Sequence, residues 1–301
     1  MSQIIWLKEP ARKKPTLLVA FTGWNDAGDA ASKALEWFCG RCETDLLATM
    51  DPEPFYDFSE SQPKITITKD GSRTLSWPSN DLIAATMPAH HCLPSSSRKK
   101  PNTELALLIG TEPQLKWRTF TQEIVHIAKR LRSPLVVTLG ALLADIPHTR
   151  PAPIVGSSPD PELAERLNLS RSRYEGPTGI IGVLNSACIE HGVPTASLWA
   201  AVPGYASELF SPKASLSLIE NLGKILGISP DTFDLAVEAT DYEKRVAELL
   251  PASEETTEYI AKLEQTYDEA NAQEGEIEQM RSSDPSTLVT QIEDFLRDQS
   301  S

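Results

Sequence analysis

The chain of 301 residues is 40% hydrophobic and 23% charged, a composition that excludes both a disordered and a fibrous protein. At ~150 residues per domain its length suits two domains. Its formal charge of −14 lies entirely in residues 231–301, with 19 acidic and 5 basic side chains against 23 of each sign before them, so a phosphate backbone is a poor partner and no nucleic acid is expected.

No apolar run reaches the ~18 residues of a membrane span. Residues 1–10 lack the basic flank, apolar stretch and cleavage site of a secretory signal. Four cysteines in so long a chain do not make a disulfide scaffold. The expectation is a reduced, cytoplasmic protein without membrane association.

In chain order, the first strong element is an apolar run at 17–21, predicted to be a strand buried on both faces. It ends in Thr22-Gly23-Trp24-Asn25-Asp26-Ala27-Gly28-Asp29, and a helix is predicted over 27–38. Gly23 and Gly28 suit a tight strand-to-helix turn, with Asn25 or Asp26 either capping the helix or facing a ligand. The segment is neither a G-x-G-x-x-G fingerprint nor a P-loop. Cys39-x-x-Cys42 has zinc-knuckle spacing and His90-His91-Cys92 offers further ligands, but a second Cys-x-x-Cys is missing, so no metal is expected.

Residues 65–68 and 74–77 flank Asp70-Gly71 and read as a hairpin, placed as an antiparallel extension at one sheet edge. Arg98-Lys99-Lys100 lies in a Ser/Pro-rich stretch and reads as a solvated loop. Further buried strands are predicted at 105–109, 135–139 and 196–202, with helices at 117–131 and 180–191 between them. In the first of these helices Phe120, Ile124, Ile127 and Leu131 form one apolar stripe. This alternation predicts an α/β fold with a mostly parallel sheet flanked by helices.

Beyond residue 210 the strand signals stop. Helices are predicted at 211–226, 231–250, 253–271 and 284–297, several opened by proline. The reading is an α/β domain over 1–228 and an acidic helical subdomain over 229–301. The apolar stripes of the later helices serve internal packing or an oligomer contact.

In a parallel sheet, ligands bind beyond the carboxyl ends of the strands. The loops there supply a candidate pocket of Trp24, Asn25, Asp26, Glu112, Arg118, Asp145, His148, Thr149, Arg150, Arg173, Tyr174, Glu175, Thr178 and Tyr205. Asp145, His148 and Arg150 lie within six residues, where they either move a proton and clamp an anion or pin a loop by ion pairing. Arg173 and Glu175 are placed to extend that charge network. The G-x-S-x-G nucleophile elbow is absent.

The stretches Phe21–Gly28, Asp57-Phe58, Glu112-Pro113 with Trp117-Arg118, 139–150, 172–178 and 197–205, in this order, resemble the bacterial branch of the proteasome assembly chaperone two family. The resemblance spans about residues 5–225. It implies a phosphorylase/hydrolase-like α/β domain with a helical C-terminal extension, and a homo-oligomer, with a trimer as the suggested size. Eukaryotic members are assembly factors for the proteasome α-ring and carry a hydrophobic–tyrosine–any residue tail. This chain ends Arg297-Asp298-Gln299-Ser300-Ser301, so that docking mode is not expected. Gly204 precedes Tyr205 where relatives commonly carry histidine, and no phosphate-cradling loop supports an ATP-grasp ligase.

Two functions compete. The first is a non-enzymatic assembly or scaffold protein that self-associates and binds a protein partner, with no cofactor. The alternative is an enzyme or small-molecule binder of phosphorylase/hydrolase type, in which arginines hold an anionic substrate and His148 or Asp145 moves the proton.

Overall fold

A computed structural model describes residues 2–11, 13–68, 70–93, 103–170 and 175–282. Arg173, Tyr174, the 98–100 cluster and the predicted helix at 284–297 lie outside the described residues. The elements run β1 (Ile4–Trp6), β2 (Thr16–Thr22), α1 (Ala30–Arg41), β3 (Glu43–Met50), β4 (Lys64–Ile67), β5 (Arg73–Ser76), β6 (Asn80–Met87), β7 (Thr103–Thr111), α2 (Trp117–Leu131) and β8 (Val136–Ala144). They continue with β9 (Ile154–Ser157), α3 (Pro161–Arg166), α4 (Ile180–Glu190), β10 (Thr195–Pro203), α5 (Pro212–Leu226), α6 (Phe233–Leu249) and α7 (Glu254–Ser282).

Eight strands form one sheet in the order β1-β3-β6-β7-β2-β8-β10-β9. Its centre, β7-β2-β8-β10, is parallel, as the four predicted apolar runs require. Antiparallel strands flank it, β1, β3 and β6 on one side and β9 on the other.

The two faces of β2 explain the layering. Leu18 and Ala20 pack with Ala31, Leu35 and Phe38 of α1 and with Leu218 and Leu222 of α5. Leu17, Val19 and Phe21 point the other way, toward Phe120, Ile124, Ile127 and Leu131 of α2 and Ile180 and Leu184 of α4. The predicted stripe of α2 is thus its core face. Phe120 also meets Phe21 and Phe55, with ring centroids 5.5 and 5.1 Å apart.

The hairpin forms as predicted, β4 on β5 with Ile65 opposite Leu75, and Gly71 takes the left-handed turn position at φ 83°. Its placement differs from expectation. It is a separate two-stranded sheet and does not extend the main one, whose edges are β1 and β9. All eight of its strand residues are exposed. Aromatic contact of Phe58 with Trp77, centroids 4.8 Å apart, holds its root.

Within the sheet, Gly110 on β7 admits the closest backbone approach. A Cβ there would stand 2.2 Å from both the Ser79 carbonyl oxygen and Asn80 Oδ1. Gly110→Ala is expected to destabilise the fold by about 2–3 kcal/mol, since backbone must shift to make room. Urea unfolding measures this, and a change under 0.5 kcal/mol would contradict the stated packing.

Candidate functional site

The chain leaves β2 toward α1 on one face of the sheet and leaves β7 toward α2 on the other. Adjacent parallel strands that part in this way open a crevice at their carboxyl ends. A cleft of ≈ 660 Å³ lies there, lined by Thr22, Gly23 and Trp24 after β2 and by Thr111, Glu112, Pro113, Gln114 and Trp117 from β7 to α2. Pro177, Thr178 and Gly179, which lead into α4, close one side, and Ser61 from the root of the hairpin reaches the rim.

Glu112 organises this crevice. Its Oε2 accepts a 3.0 Å hydrogen bond from the Trp24 N–H, and the backbone N–H groups of Ile180 and Asn25 also favour its charged form. Burial outweighs them and raises its pKa above the usual carboxylate value. No Lys, Arg or His offsets that charge among the described residues. Gly23, at φ 131°, lets the chain pass Glu112 closely: a Cβ would meet Glu112 Cβ at 3.1 Å. Trp24 is left 77% exposed beside it.

Asn25 is buried behind the cleft, where a Cβ on Gly179 would sit 2.5 Å from its Oδ1. Its carboxamide also favours ionised Glu112, although neither polar atom makes a hydrogen bond of normal geometry. Asp26 takes the capping role. Its Oδ1 accepts from the Ala31 N–H at 2.6 Å, and its carboxylate also receives the Ser32 N–H and hydroxyl, so it satisfies the first turn of α1 from four residues upstream. The Asn25 carbonyl accepts from the Ala141 N–H at 2.8 Å, which fastens this loop to β8.

The remaining strand-end residues assemble elsewhere, beyond β8 and β10. His148 is 4% exposed; its backbone N–H donates to the Tyr205 hydroxyl at 2.7 Å, and its Nδ1 lies 3.0 Å from the same oxygen. Burial and the neighbouring Lys213 ammonium lower the His148 pKa, favouring a neutral ring, and burial pushes the Tyr205 phenol up to about 12. Lys213 of α5 donates to the His148 carbonyl at 2.7 Å and pairs with Glu243 of α6.

Arg150 forks onto Asp268 of α7, with Nε and Nη2 at 2.9 and 2.8 Å from its two oxygens, and Nη1 lies 3.4 Å from Glu264. Thr149 also donates to Glu264. Tyr259 of α7 donates to Asp145 at 3.4 Å and meets the Tyr205 ring.

The predicted single patch is therefore two separate groups. Trp24, Glu112 and Thr178 share the cleft, with Asn25 behind it, while Asp145, Thr149, Arg150 and Tyr205 contact α7 and His148 is held by Tyr205 and Lys213. Arg118 stands exposed on α2 and does not line the cleft. Glu175 is exposed, and no ion pair joins it to His148 or Arg150 among the described residues. Sequence reasoning missed the cleft walls Trp117 and Pro113 and the partners Lys213, Glu264 and Asp268. The alternation of strand and helix pointed to the first two; nothing local pointed to the others.

Comparison with known proteins adds kinship. A sequence model of the PAC2 family matches residues 20–250. No curated protein matches the chain. Among solved structures, a PAC2 family protein from Streptomyces avermitilis is 39% identical, with 82% of this chain and 99% of that one covered and a TM-score of 0.73. A proteasome-assembly chaperone homologue from Mycobacterium tuberculosis is 36% identical over 81% of this chain and 99% of that one, with a TM-score of 0.68. An archaeal proteasome activator from Pyrococcus furiosus shares the fold at 15% identity, covering 82% of this chain and 97% of its own, with a TM-score of 0.62. No helix among the described residues is long and apolar enough to cross a membrane.

Two predictions arise here. Burial raises the Asp26 pKa from 3.8 to about 6, so the folded state binds this proton more tightly than the unfolded one. Stability from this group is full below pH 3.8 and is lost as pH rises through about 6, by roughly 2–3 kcal/mol. Asp26→Asn keeps an acceptor oxygen and is expected to flatten the stability curve between pH 4 and 6, which urea melts at several pH values would reveal. Arg150→Ala is expected to free α7 while the sheet stays folded, seen as several-fold faster protease cleavage within residues 254–272 and an unchanged core in hydrogen exchange.

Proposed function

The chain belongs to the PAC2 family, and on that footing we propose that it is a non-enzymatic assembly or scaffold factor that binds a protein partner and self-associates. The observation that carries this reading is the use made of the strand-end ionic residues. Arg150, Thr149, Asp145 and Tyr205 contact α7 and His148 is held by Tyr205 and by Lys213 of α5, so most of the groups that would form a reaction centre act as attachments for the helical extension. The cleft that stays open has tryptophan and proline walls and Glu112 as its charged group. Among the described residues an anionic substrate would meet carboxylate and indole there and no arginine, which weighs against the phosphorylase/hydrolase alternative.

The 36% identical Mycobacterium tuberculosis protein, a proteasome-assembly chaperone homologue, supports a protein-binding role for this chain too. We place its division at 1–228 and 229–301, with the acidic helices as an arm docked on the α/β body. Exposed Phe233, Val237 and Leu249 on α6 are the apolar positions that suit self-association. A cytoplasmic location agrees with cysteines that form no disulfide among the described residues.

Affinity capture from the native cell, run in parallel with wild type and Trp24→Ala, tests the reading. The expected result is a stoichiometric partner recovered by wild type and depleted with the variant, and no thermal stabilisation by millimolar phosphate or nucleotides. Recovery of the chain alone in both arms, or a phosphate-induced rise in Tm, would overturn it.

A further inference from the structure

The open cleft has the chemistry of one particular side chain. Glu112 is half-buried and carries a formal charge that no cation among the described residues offsets, since the groups that favour its ionised form, the Trp24, Ile180 and Asn25 N–H groups and the Asn25 carboxamide, are neutral. Trp24, Trp117, Pro113 and Pro177 line the same cleft. Trp117 Nε1 is already committed to the Pro113 carbonyl at 2.7 Å, which fixes that ring as a wall.

A carboxylate in a cleft lined by tryptophan and proline matches an ammonium group on an apolar stem, held by ion pairing at its head and by apolar contact along its methylenes. Arg118 and Lys116 follow at the start of α2 but do not line the cleft. We propose that this cleft is a receptor for a lysine side chain presented by a protein partner, with Glu112 taking the ammonium and Trp24 and Trp117 the stem.

A protein source fits better than a free amine. The cleft opens to solvent beside Trp24, whereas small-molecule sites enclose most of their ligand. Its rim continues into the hairpin, where Ser61 accepts a hydrogen bond from Gln114 and where Ile65, Ile67, Leu75 and Trp77 lie exposed, providing apolar area that a macromolecule would cover. The proposal rests on the protein-binding reading above and names its point of attachment.

The test is titration of the full chain with Nα-acetyl-lysine amide, its neutral counterpart Nα-acetyl-norleucine amide, and methylamine, followed by tryptophan fluorescence and calorimetry. Saturable binding of the lysine probe is expected, at least about 10-fold tighter than either other probe and weakened about 10-fold by Glu112→Gln, which keeps an acceptor for the Trp24 N–H. Trp24→Ala, whose side chain makes no hydrogen bond among the described residues, should weaken binding while leaving the melting temperature unchanged. Affinity should fall as acid protonates Glu112. Equal binding of norleucine amide, equal binding of methylamine, or no saturation by the lysine probe would each overturn the assignment. If a captured partner is retained by Glu112→Gln while the lysine probe does not bind, the receptor assignment fails and the partner-binding reading stands.

Discussion

The architecture depends on β2 lying between two parallel neighbours with both of its faces covered. Five consecutive residues, Leu17 to Phe21, are wholly removed from water, and each alternates between the α1–α5 layer and the α2–α4 layer. Burying five such side chains contributes on the order of 8–10 kcal/mol by transfer alone, an upper bound that chain entropy opposes. Parallel pairing with β7 and β8 then sends the chain out at one end of the sheet, and the opposite layers reached by α1 and α2 part the loops. The cleft follows from that layering. Glu112 occupies it because β7 ends one residue earlier, beside Gly23.

The second group of strand-end residues shows the same constraint put to another use. The loop after β8 emerges beside β10 and meets Tyr205, Lys213 and α7. With His148 enclosed against Tyr205, Lys213 paired to Glu243 and Arg150 forked onto Asp268, the polar groups are matched to one another. The family match over residues 20–250 includes the cleft, the β8 loop and α6, while α7 lies beyond it.

Legibility in the sequence followed local physics. Residues 17–21, 105–109, 135–139 and 196–202 are continuous apolar runs because parallel central strands are covered on both faces, and all four are strands. The flanking strands gave no such signal. Four of the eight residues of β3 are exposed, and β9 is a four-residue edge. The turn at Asp70-Gly71 announced the hairpin, yet nothing in its alternating pattern specifies which sheet it joins. A cap or a ligand-facing residue was legible at Asn25 or Asp26 from their place between a strand and a helix, and the hydrogen bonds from Ala31 and Ser32 assign the cap to Asp26. The pairing of Arg150 with Asp268 spans 118 positions, and a charge has no sequence feature that names a partner so remote. The candidate list was therefore assembled by strand end, while the sheet order, with β7-β2 on one side and β8-β10 on the other, divides it.

The isolated hairpin has a consequence for behaviour at high concentration. A two-stranded ribbon with bare backbone edges and aliphatic side chains in water is a template onto which an identical ribbon can stack. Here Lys64 opens one strand and Arg73 opens the other, so two ribbons brought side by side bring like charges together. The two cations act as gatekeepers beside the aliphatic side chains that stand in water.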